Sequence, residues 1–456
     1  MRLGVRDEGV YRVTADEVAL ASGLSASAVR QAFESKAVSL TRQGRPVAWT
    51  GSAGELYFYG VPTEELFAPE NVYWLAWGPG RVMQQCDAAP PAAGSTNQWF
   101  IHEEHYRPSF LAPYEPRDRR SSNGTLTNVL NFGEWVPSSS SEATSTQSRL
   151  LVAPGLYPGA ATGVTVRVEL ASYRDFVTPD SHTCEVRVNG VSCGSQSWLG
   201  ERAVTFDYAV PAGAVTGSPL LLSVRNAGGE ATQSDFMILD AALFYLRAFT
   251  ATNDALVCSG GVEATVAAEG FTCGQLAVWD ITDPDAPVEL LAPVTQGSNG
   301  LWQAAFLCGG DASRYAAFAV PTGPFEPSVC GARDIDWRDA REMPELAIVI
   351  PPRRWVSGFG EAVQPLAAFR EAQGLRTRVI DAEAIYNAFS DGLAHPEAFR
   401  RFSAAGVTNA AGQTLRYLLF AGHGGSDYKL DVFRLGEPAP YPTLFPLYLF
   451  PQVEVS

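Results

Sequence analysis

Residues 420–427 have the amino-acid types of a reactive loop. They read FAGHGGSD and begin where the apolar run at 417–420, typical of a buried parallel strand, ends. Open α/β sheets place ligands and catalytic groups at the carboxyl ends of such strands. Glycines on both sides of His423 let the backbone turn sharply and leave the imidazole accessible, as a general base requires. His423 is therefore the catalytic candidate of this sequence.

A nucleophile for His423 is missing from the nearby sequence. No cysteine follows Cys330, and Ser426 lacks the strand–turn–helix setting of a nucleophile elbow. The alternative interpretation is a structural or ligand-facing loop. In either case we expect a partly exposed imidazole beside Ser426 and Asp427, with every cysteine sulfur beyond hydrogen-bond reach.

The segment HEEH at residues 102–105 contains metal-ligand residue types. On a helix, His102 and His105 would share one face and could reach one metal ion. The residues before and after the segment indicate a strand instead. This favours solvated polar side chains at a strand end over a metal site.

A second acidic cluster, DITDPDAP, contains Asp280, Asp283 and Asp285. Its carboxylates could offer oxygens to calcium, but the glycine and the distal glutamate of an EF-hand are missing. An Asp-Pro turn that closes a strand is the favoured interpretation. The sequence thus predicts no cofactor, and calcium is not supported by a specific motif.

Seven cysteines form no CxxC pair and no zinc-like spacing with histidine. Cys184 and Cys193 flank an Asn-Gly turn, and a two-residue hairpin there would place them diagonally on one face. A disulfide between them is possible but strained. The odd count leaves at least one thiol unpaired if all pairing is internal.

Length, composition and charge restrict the class of protein. The 456 residues amount to about three domains at roughly 150 residues each. Apolar residues make up 46% and charged residues 18%, as in globular proteins, and the 42 glycines and 31 prolines favour short strands joined by turns. A net charge of −16 would repel phosphate backbones and anionic membranes, which argues against nucleic-acid binding.

Membrane and export signals are missing from the sequence. No run of about 18 apolar residues is present, so no membrane span is predicted. The N-terminus lacks the apolar core of a signal peptide. Either the protein stays inside the cell or the sequence starts after its export signal.

Changes in composition along the chain predict a multidomain organisation. A serine-rich run at 137–148 indicates a linker, and strand-like segments separated by turn residues precede and follow it. The predicted parts are a small β-rich N-terminal domain at 1–115, a linker or loop at 116–149, a β-sandwich at 150–250, a small β module at 251–340 and an α/β domain beginning at 341 and running to 456.

The last part alternates strand and helix patterns. Strands are predicted at 346–350, 376–380 and 417–420, and helices at 360–373, 382–390 and 396–405. This alternation predicts three parallel strands with right-handed helical crossovers in a three-layer α/β sheet. Because the sequence ends at Ser456 after only three such strands, we expect this domain to be incomplete.

Several blocks in the last part resemble one known family. LAIVIPPRRW, EAQGLRTRVID, AEAIYNAFSDG, HPEAFRRF and LRYLLFAGHGGSDYKL occur in the order found at the start of the catalytic region of the gingipain family of cysteine peptidases. The upstream blocks VRDEGVYRVTADEV, ELYFYG, NVYWLAWG and VWDITDPDAPVEL are similar to segments that precede this region in long secreted members.

The resemblance implies a caspase-like peptidase region of two related halves, with a His-Gly and a later Cys as the catalytic dyad of the second half. The block around His423 resembles the first half, in which members commonly have an aspartate where His423 stands. Asp427 and Tyr428 follow at about the expected distance. The resemblance therefore does not carry the catalytic histidine onto His423, and it places the dyad beyond these residues.

The functional expectation follows from this resemblance. We expect the N-terminal portion of a secreted or cell-surface cysteine endopeptidase, a hydrolase acting on protein or peptide substrates, and we expect this fragment alone to be inactive. In the whole enzyme a Cys thiolate would attack the peptide carbonyl and a His would protonate the leaving amine. The alternative is a secreted β-modular binding or adhesion protein with a degenerate peptidase-like domain.

Overall fold

The chain divides into two compact units. A computed structural model describes residues 1–65, 67–87, 96–105, 146–157, 163–172, 181–200, 202–227, 236–260, 264–310, 312–332, 337, 343–407, 415–422, 424–425 and 445–446. The first unit comprises residues 1–83, 283–287 and 325–456, and the second comprises 84–282 and 288–324. The second unit is therefore inserted in the sequence of the first.

The N-terminal segment contains two small sheets and two helices. Its elements are β1 (Arg2–Val5), β2 (Gly9–Thr14), α1 (Ala15–Ser22), α2 (Ala26–Glu34), β3 (Val38–Arg42), β4 (Arg45–Val47), β5 (Trp49–Gly51), β6 (Glu55–Gly60) and β7 (Asn71–Trp77). Helix α1 begins at a capping box, in which the Glu17 amide donates to the Thr14 hydroxyl and the Thr14 amide donates to the Glu17 carboxylate. The two helices accompany the strands of this β-rich segment.

Two four-stranded antiparallel sheets follow. All but the first two of the strands in this part of the chain belong to these sheets. The strands are β8 (Gln84–Asp87), β9 (Thr96–Asn97), β10 (Trp99–His105), β11 (Thr146–Leu151), β12 (Thr165–Ser172), β13 (Ser181–Val188), β14 (Val191–Leu199), β15 (Ala203–Ala209), β16 (Leu220–Asn226) and β17 (Phe236–Ala248). The sheets have the orders β10-β17-β12-β15 and β11-β16-β13-β14. Alternate side chains of both sheets, including Val168, Val186 and Leu222, form one hydrophobic core, as a β-sandwich requires.

A smaller β module has a five-stranded and a four-stranded sheet. The next strands along the chain are β18 (Ala255–Ser259), β19 (Ala264–Phe271), β20 (Leu276–Asp280), β21 (Val288–Leu291), β22 (Val294–Gln296), β23 (Trp302–Cys308), β24 (Arg314–Ala319) and β25 (Ser328–Cys330). The sheet orders are β18-β24-β20-β21-β8 and β22-β23-β19-β9. Val266, Phe306 and Ala317 lie in their shared core.

Strand pairing crosses the domain ranges suggested by composition. Strands β8, β9 and β10 fall in the range 1–115, yet they pair with β21, β19 and β17. Strand β25 falls in the range 251–340, yet it pairs with β1. Residues 116–145 of the predicted linker lie outside the described residues, and residues 146–149 belong to β11.

The last part has the predicted three-layer α/β arrangement. Its elements are β26 (Leu346–Ile350), α3 (Phe359–Ala372), β27 (Thr377–Asp381), α4 (Ala382–Phe389), α5 (Pro396–Val407), β28 (Tyr417–Phe420), β29 (Gly424–Gly425) and β30 (Phe445–Pro446). Strands β27, β26 and β28 are parallel and lie in that order. Ile348 packs with Ala367 of α3, whereas Val349 packs with Ile385 of α4 and Phe402 of α5, so helices cover both faces.

None of the helices in the described residues combines the length and apolar character needed to span a bilayer.

Candidate functional site

The carboxyl edge of the β27-β26-β28 sheet is the candidate site region. The main chain leaves this edge at residues 351–356 after β26, at α4 after β27 and at residues 421–422 after β28. The Ala421 amide donates a 2.8 Å hydrogen bond to the Val349 carbonyl, so the edge remains ordered just past β28. His423, Ser426 and Asp427 lie outside the described residues. The role and exposure of His423 therefore stay predictions.

Asp381 connects two of the chain segments at this edge. It is the last residue of β27 and the N-cap of α4. Its carboxylate accepts hydrogen bonds from the Glu383 amide at 2.9 Å and from the Arg353 amide at 3.1 Å. Burial raises the pKa of Asp381. The segment after β26 is thereby held against the start of α4.

A closed ring of four alternating charges adjoins this edge. It consists of Arg2, Glu70, Arg354 and Glu383, and we call it the charge ring. Glu70 Oε1 lies 2.8 Å from Arg2 Nη1 and 2.8 Å from Arg354 Nη1. Glu383 Oε1 lies 2.9 Å from Arg354 Nε and 3.4 Å from Arg2 Nε. This ring could not be predicted from the sequence, because its members lie in four separate segments of the chain.

Glu70 stays ionised at the centre of these contacts. Its side chain is 1% exposed, and its second oxygen accepts a 3.3 Å hydrogen bond from the Ser328 hydroxyl. Burial by itself would raise the pKa of Glu70, but the charges of Arg2 and Arg354 outweigh burial and lower it. Arg2 reaches both carboxylates of the ring, at 2.8 Å from Glu70 and 3.4 Å from Glu383.

Cys330 is the cysteine that adjoins the charge ring. It pairs with Arg2 in the β1–β25 register. Burial, followed by the charge of Glu383, raises the pKa of the Cys330 thiol. A reactive cysteine needs a lowered pKa, so Cys330 does not have the character of a nucleophile.

The remaining cysteines give no cross-link. All seven are free thiols in the structure, including the Cys184 and Cys193 pair considered for a disulfide. Cys184 lies in the sandwich core, where burial raises its pKa to about 12.

The two histidines of the HEEH segment lie on opposite faces of a strand. His102 contacts Glu104 at 3.1 Å, whereas His105 contacts Glu103 at 3.0 Å and Asp240 at 2.7 Å. Because side chains alternate along β10, the two imidazoles cannot share one metal ion. Within the described ranges no group of three or more metal-ligand side chains is positioned to hold a metal. The segment is part of strand β10, as its flanking residues predicted.

The DITDPDAP segment forms the predicted turn. Asp280 accepts a hydrogen bond from the Thr282 amide at 2.9 Å, and Asp283 accepts one from the Asp285 amide at 3.1 Å. The Asp285 carboxylate lies 2.8 Å from the Arg42 guanidinium. The carboxylates of Asp280 and Asp283 thus accept hydrogen bonds within the turn, and that of Asp285 forms an ion pair with Arg42.

Comparison with known proteins identifies the class of the α/β region. Residues 340–448 match the sequence model of Peptidase family C25, which is the gingipain family. The match includes the strands β26, β27 and β28 and the helices α3, α4 and α5. It confirms the resemblance predicted from the sequence blocks at 346–430.

Among solved structures, the crystal structure of dimeric latent PorU from Porphyromonas gingivalis is similar to this chain. The TM-score is 0.54 at 16% sequence identity, and the similarity covers 94% of this chain and 42% of the PorU chain. The chain therefore spans less than half the length of the PorU chain, and the similarity establishes a shared fold. The VP2 subviral particle of infectious bursal disease virus gives a TM-score of only 0.19 at 10% identity, over 69% of this chain and 59% of that chain. A search of curated protein sequences finds no significant match.

Proposed function

We propose that this chain is the N-terminal portion of a gingipain-like cysteine endopeptidase that is secreted or located at the cell surface. The observation that carries the proposal is the match of residues 340–448 to Peptidase family C25. The fold supports it, because the matched residues form a parallel sheet with helices on both faces. Protein or peptide chains are the proposed substrates.

The proposal assigns the catalytic dyad to residues outside these 456. No cysteine follows Cys330 in the sequence, and the Cys330 thiol has a raised pKa. In such a dyad a Cys thiolate attacks the peptide carbonyl, and a His protonates the leaving amine. His423 then belongs to a loop of the first half of the peptidase region and does not serve as the general base.

A paired activity assay tests the proposal. Residues 1–456 and the product of the reading frame extended beyond Ser456 are each incubated with fluorescent casein, with and without iodoacetamide. We expect hydrolysis by the extended protein only, and we expect iodoacetamide to abolish it. Iodoacetamide-sensitive hydrolysis by residues 1–456 would overturn the assignment of the dyad. Absence of hydrolysis by the extended protein would overturn the peptidase proposal and favour the binding or adhesion alternative.

A further inference from the structure

The charge ring joins two segments that are far apart in the sequence. Arg2 and Glu70 belong to the N-terminal segment, in β1 and just before β7. Arg354 follows β26, and Glu383 lies in the first turn of α4. Two of the four ion pairs in the ring, Arg2–Glu383 and Arg354–Glu70, therefore link the N-terminal segment to the α/β region.

Burial makes these links costly to break. The side chains of Arg2 and Glu70 are 2% and 1% exposed, and those of Arg354 and Glu383 are 19% and 18% exposed. A buried charge is stable only when partners replace the water that it has lost. Removing one carboxylate would leave Arg2 and Arg354, two neighbouring positive charges, sharing a single carboxylate of the ring. The four charges therefore stabilise one another when all are present, and the loss of one of them destabilises the fold.

Apolar contacts next to the ring join the same two segments. Val72 and Ala68 pack with Leu393, from the connection between α4 and α5. Gly392 approaches β7 so closely that a Cβ atom there would lie 2.8 Å from Val72 Cγ1. Trp74 Nε1 donates a 3.2 Å hydrogen bond to the Asp391 carbonyl. The N-terminal segment and the α/β region thus share a packed interface, which includes both these apolar contacts and the charge ring.

The charge ring lies at the carboxyl edge of the β27-β26-β28 sheet. Arg354 follows the carboxyl end of β26, and Glu383 comes two residues after the carboxyl end of β27. The Asp381 carboxylate accepts a hydrogen bond from the Arg353 amide, and this bond also holds the backbone next to Arg354 in place. Functional groups of open α/β folds gather at this edge of the sheet.

We propose that the charge ring makes residues 1–83 a built-in support for the carboxyl edge of the α/β region, so that the conformation of residues 351–356 and 382–393 depends on the N-terminal segment. The support is intramolecular and needs no ligand. It holds whether or not the chain is part of a peptidase, and its test requires no enzymatic activity. Failure of the proposed function would therefore leave this inference unaffected.

Hydrogen–deuterium exchange on the whole chain tests the support. Glu70→Gln removes the ring's most buried carboxylate without changing its shape. We expect several-fold faster exchange in peptides covering 351–356 and 382–393, although the substitution lies in the N-terminal segment. The matched control is Asp16→Asn, which breaks the exposed 2.6 Å pair of Asp16 with Arg30 in the same segment. The control should leave exchange at 351–356 and 382–393 unchanged.

A second variant places the substitution in the α/β region and measures exchange in the N-terminal segment. It also provides a test if Glu70→Gln does not fold. Glu383→Gln changes the partly exposed carboxylate of the α/β region, and we expect faster exchange in peptides covering β1 and β7. Faster exchange confined to the segment that carries the substitution would overturn the proposal. Unchanged exchange in the other segment for a folded variant would overturn it equally.

Discussion

Trp74 donates its indole hydrogen bond to the carbonyl of Asp391, 317 positions later in the sequence. The bond is 3.2 Å long and lies beside the contact of Val72 with Leu393. It shows that β7 and the α4–α5 connection belong to one compact unit, although the whole second unit separates them in the sequence. The stability of the α/β region is therefore coupled to the N-terminal segment.

Glu70 should make the first unit sensitive to acid. Its pKa in the folded protein lies below the ordinary value of 4.5, so the ionised carboxylate stabilises the fold above about pH 4.5, and this contribution is lost as the pH falls through the folded-state pKa. At pH 7 we expect Glu70→Gln to lower the free energy of unfolding by about 3–5 kcal/mol. Urea unfolding of the wild type and the variant at pH 7 and at a series of pH values below 4.5 measures the difference. A loss that is equally large at all of these pH values would contradict this account.

Gly392 should tolerate alanine less well than Gly374 does. Both residues have positive φ, 86° and 84°, so alanine costs about 1–2 kcal/mol of backbone strain at either position. Around Gly374 there is open space, whereas a Cβ at Gly392 would approach Val72 at 2.8 Å. We expect the unfolding free energy of Gly392→Ala to fall clearly below that of Gly374→Ala in chemical denaturation. Equal losses would show that the α4–α5 connection does not pack closely on β7.

Asp254 should contribute to the stability of the second unit through three hydrogen bonds. Its carboxylate accepts from the Thr272 amide at 2.7 Å and from the hydroxyls of Thr272 and Thr322, each at 2.6 Å. Burial would raise the pKa of Asp254, but these hydrogen bonds outweigh burial and lower it. Asp254→Ala should cost about 1–3 kcal/mol for the lost acceptor, in addition to strain at its φ of 60°.

The control for Asp254 is Asp280→Ala, which removes a single hydrogen bond to the Thr282 amide on the surface. Thermal unfolding followed by circular dichroism compares the two variants. A smaller loss for Asp254→Ala than for Asp280→Ala would contradict the assigned role.

Thiol reactivity should distinguish the exposed cysteine from the buried ones. Cys86 is exposed, whereas Cys258 and Cys308 lie in the core of the small β module. Burial raises the pKa of Cys308 to about 11 and raises that of Cys258 further. With a chromogenic disulfide reagent at pH 8, we expect fast labelling of Cys86 and labelling of the other two only after denaturation. Cys86→Ser should remove the fast phase, and persistence of that phase would contradict the assignment.

The α/β region could be predicted because its signals are local. Residues 346–350 are apolar at every position, and the structure buries all five between two helical layers. Gly374 follows α3 with a φ of 84°, as expected of a residue that ends a helix. The residues flanking the HEEH segment likewise indicated a strand, and the structure has β10 at Trp99–His105.

The long-range pairings and the charge ring could not be predicted in this way. Strand β25 has only three residues, and nothing in Ser-Val-Cys specifies β1 as its partner. Arg2 has the same residue type as the exposed arginines of this chain, and only the fold shows that it is buried. Such features depend on contacts between distant segments, whereas composition and periodicity report on neighbours in sequence.

The insertion of the second unit also orders events during protein synthesis. Strand β1 is flanked by β7 on one side and by β25 on the other. A ribosome completes β7 early but delivers β25 only after the whole inserted unit has been translated. Until then β1 is an open sheet edge, with unpaired amide and carbonyl groups that can join another strand. A nascent chain of this protein therefore exposes this edge of β1 until the inserted unit has been translated, and during that time the edge can pair with a strand of another chain.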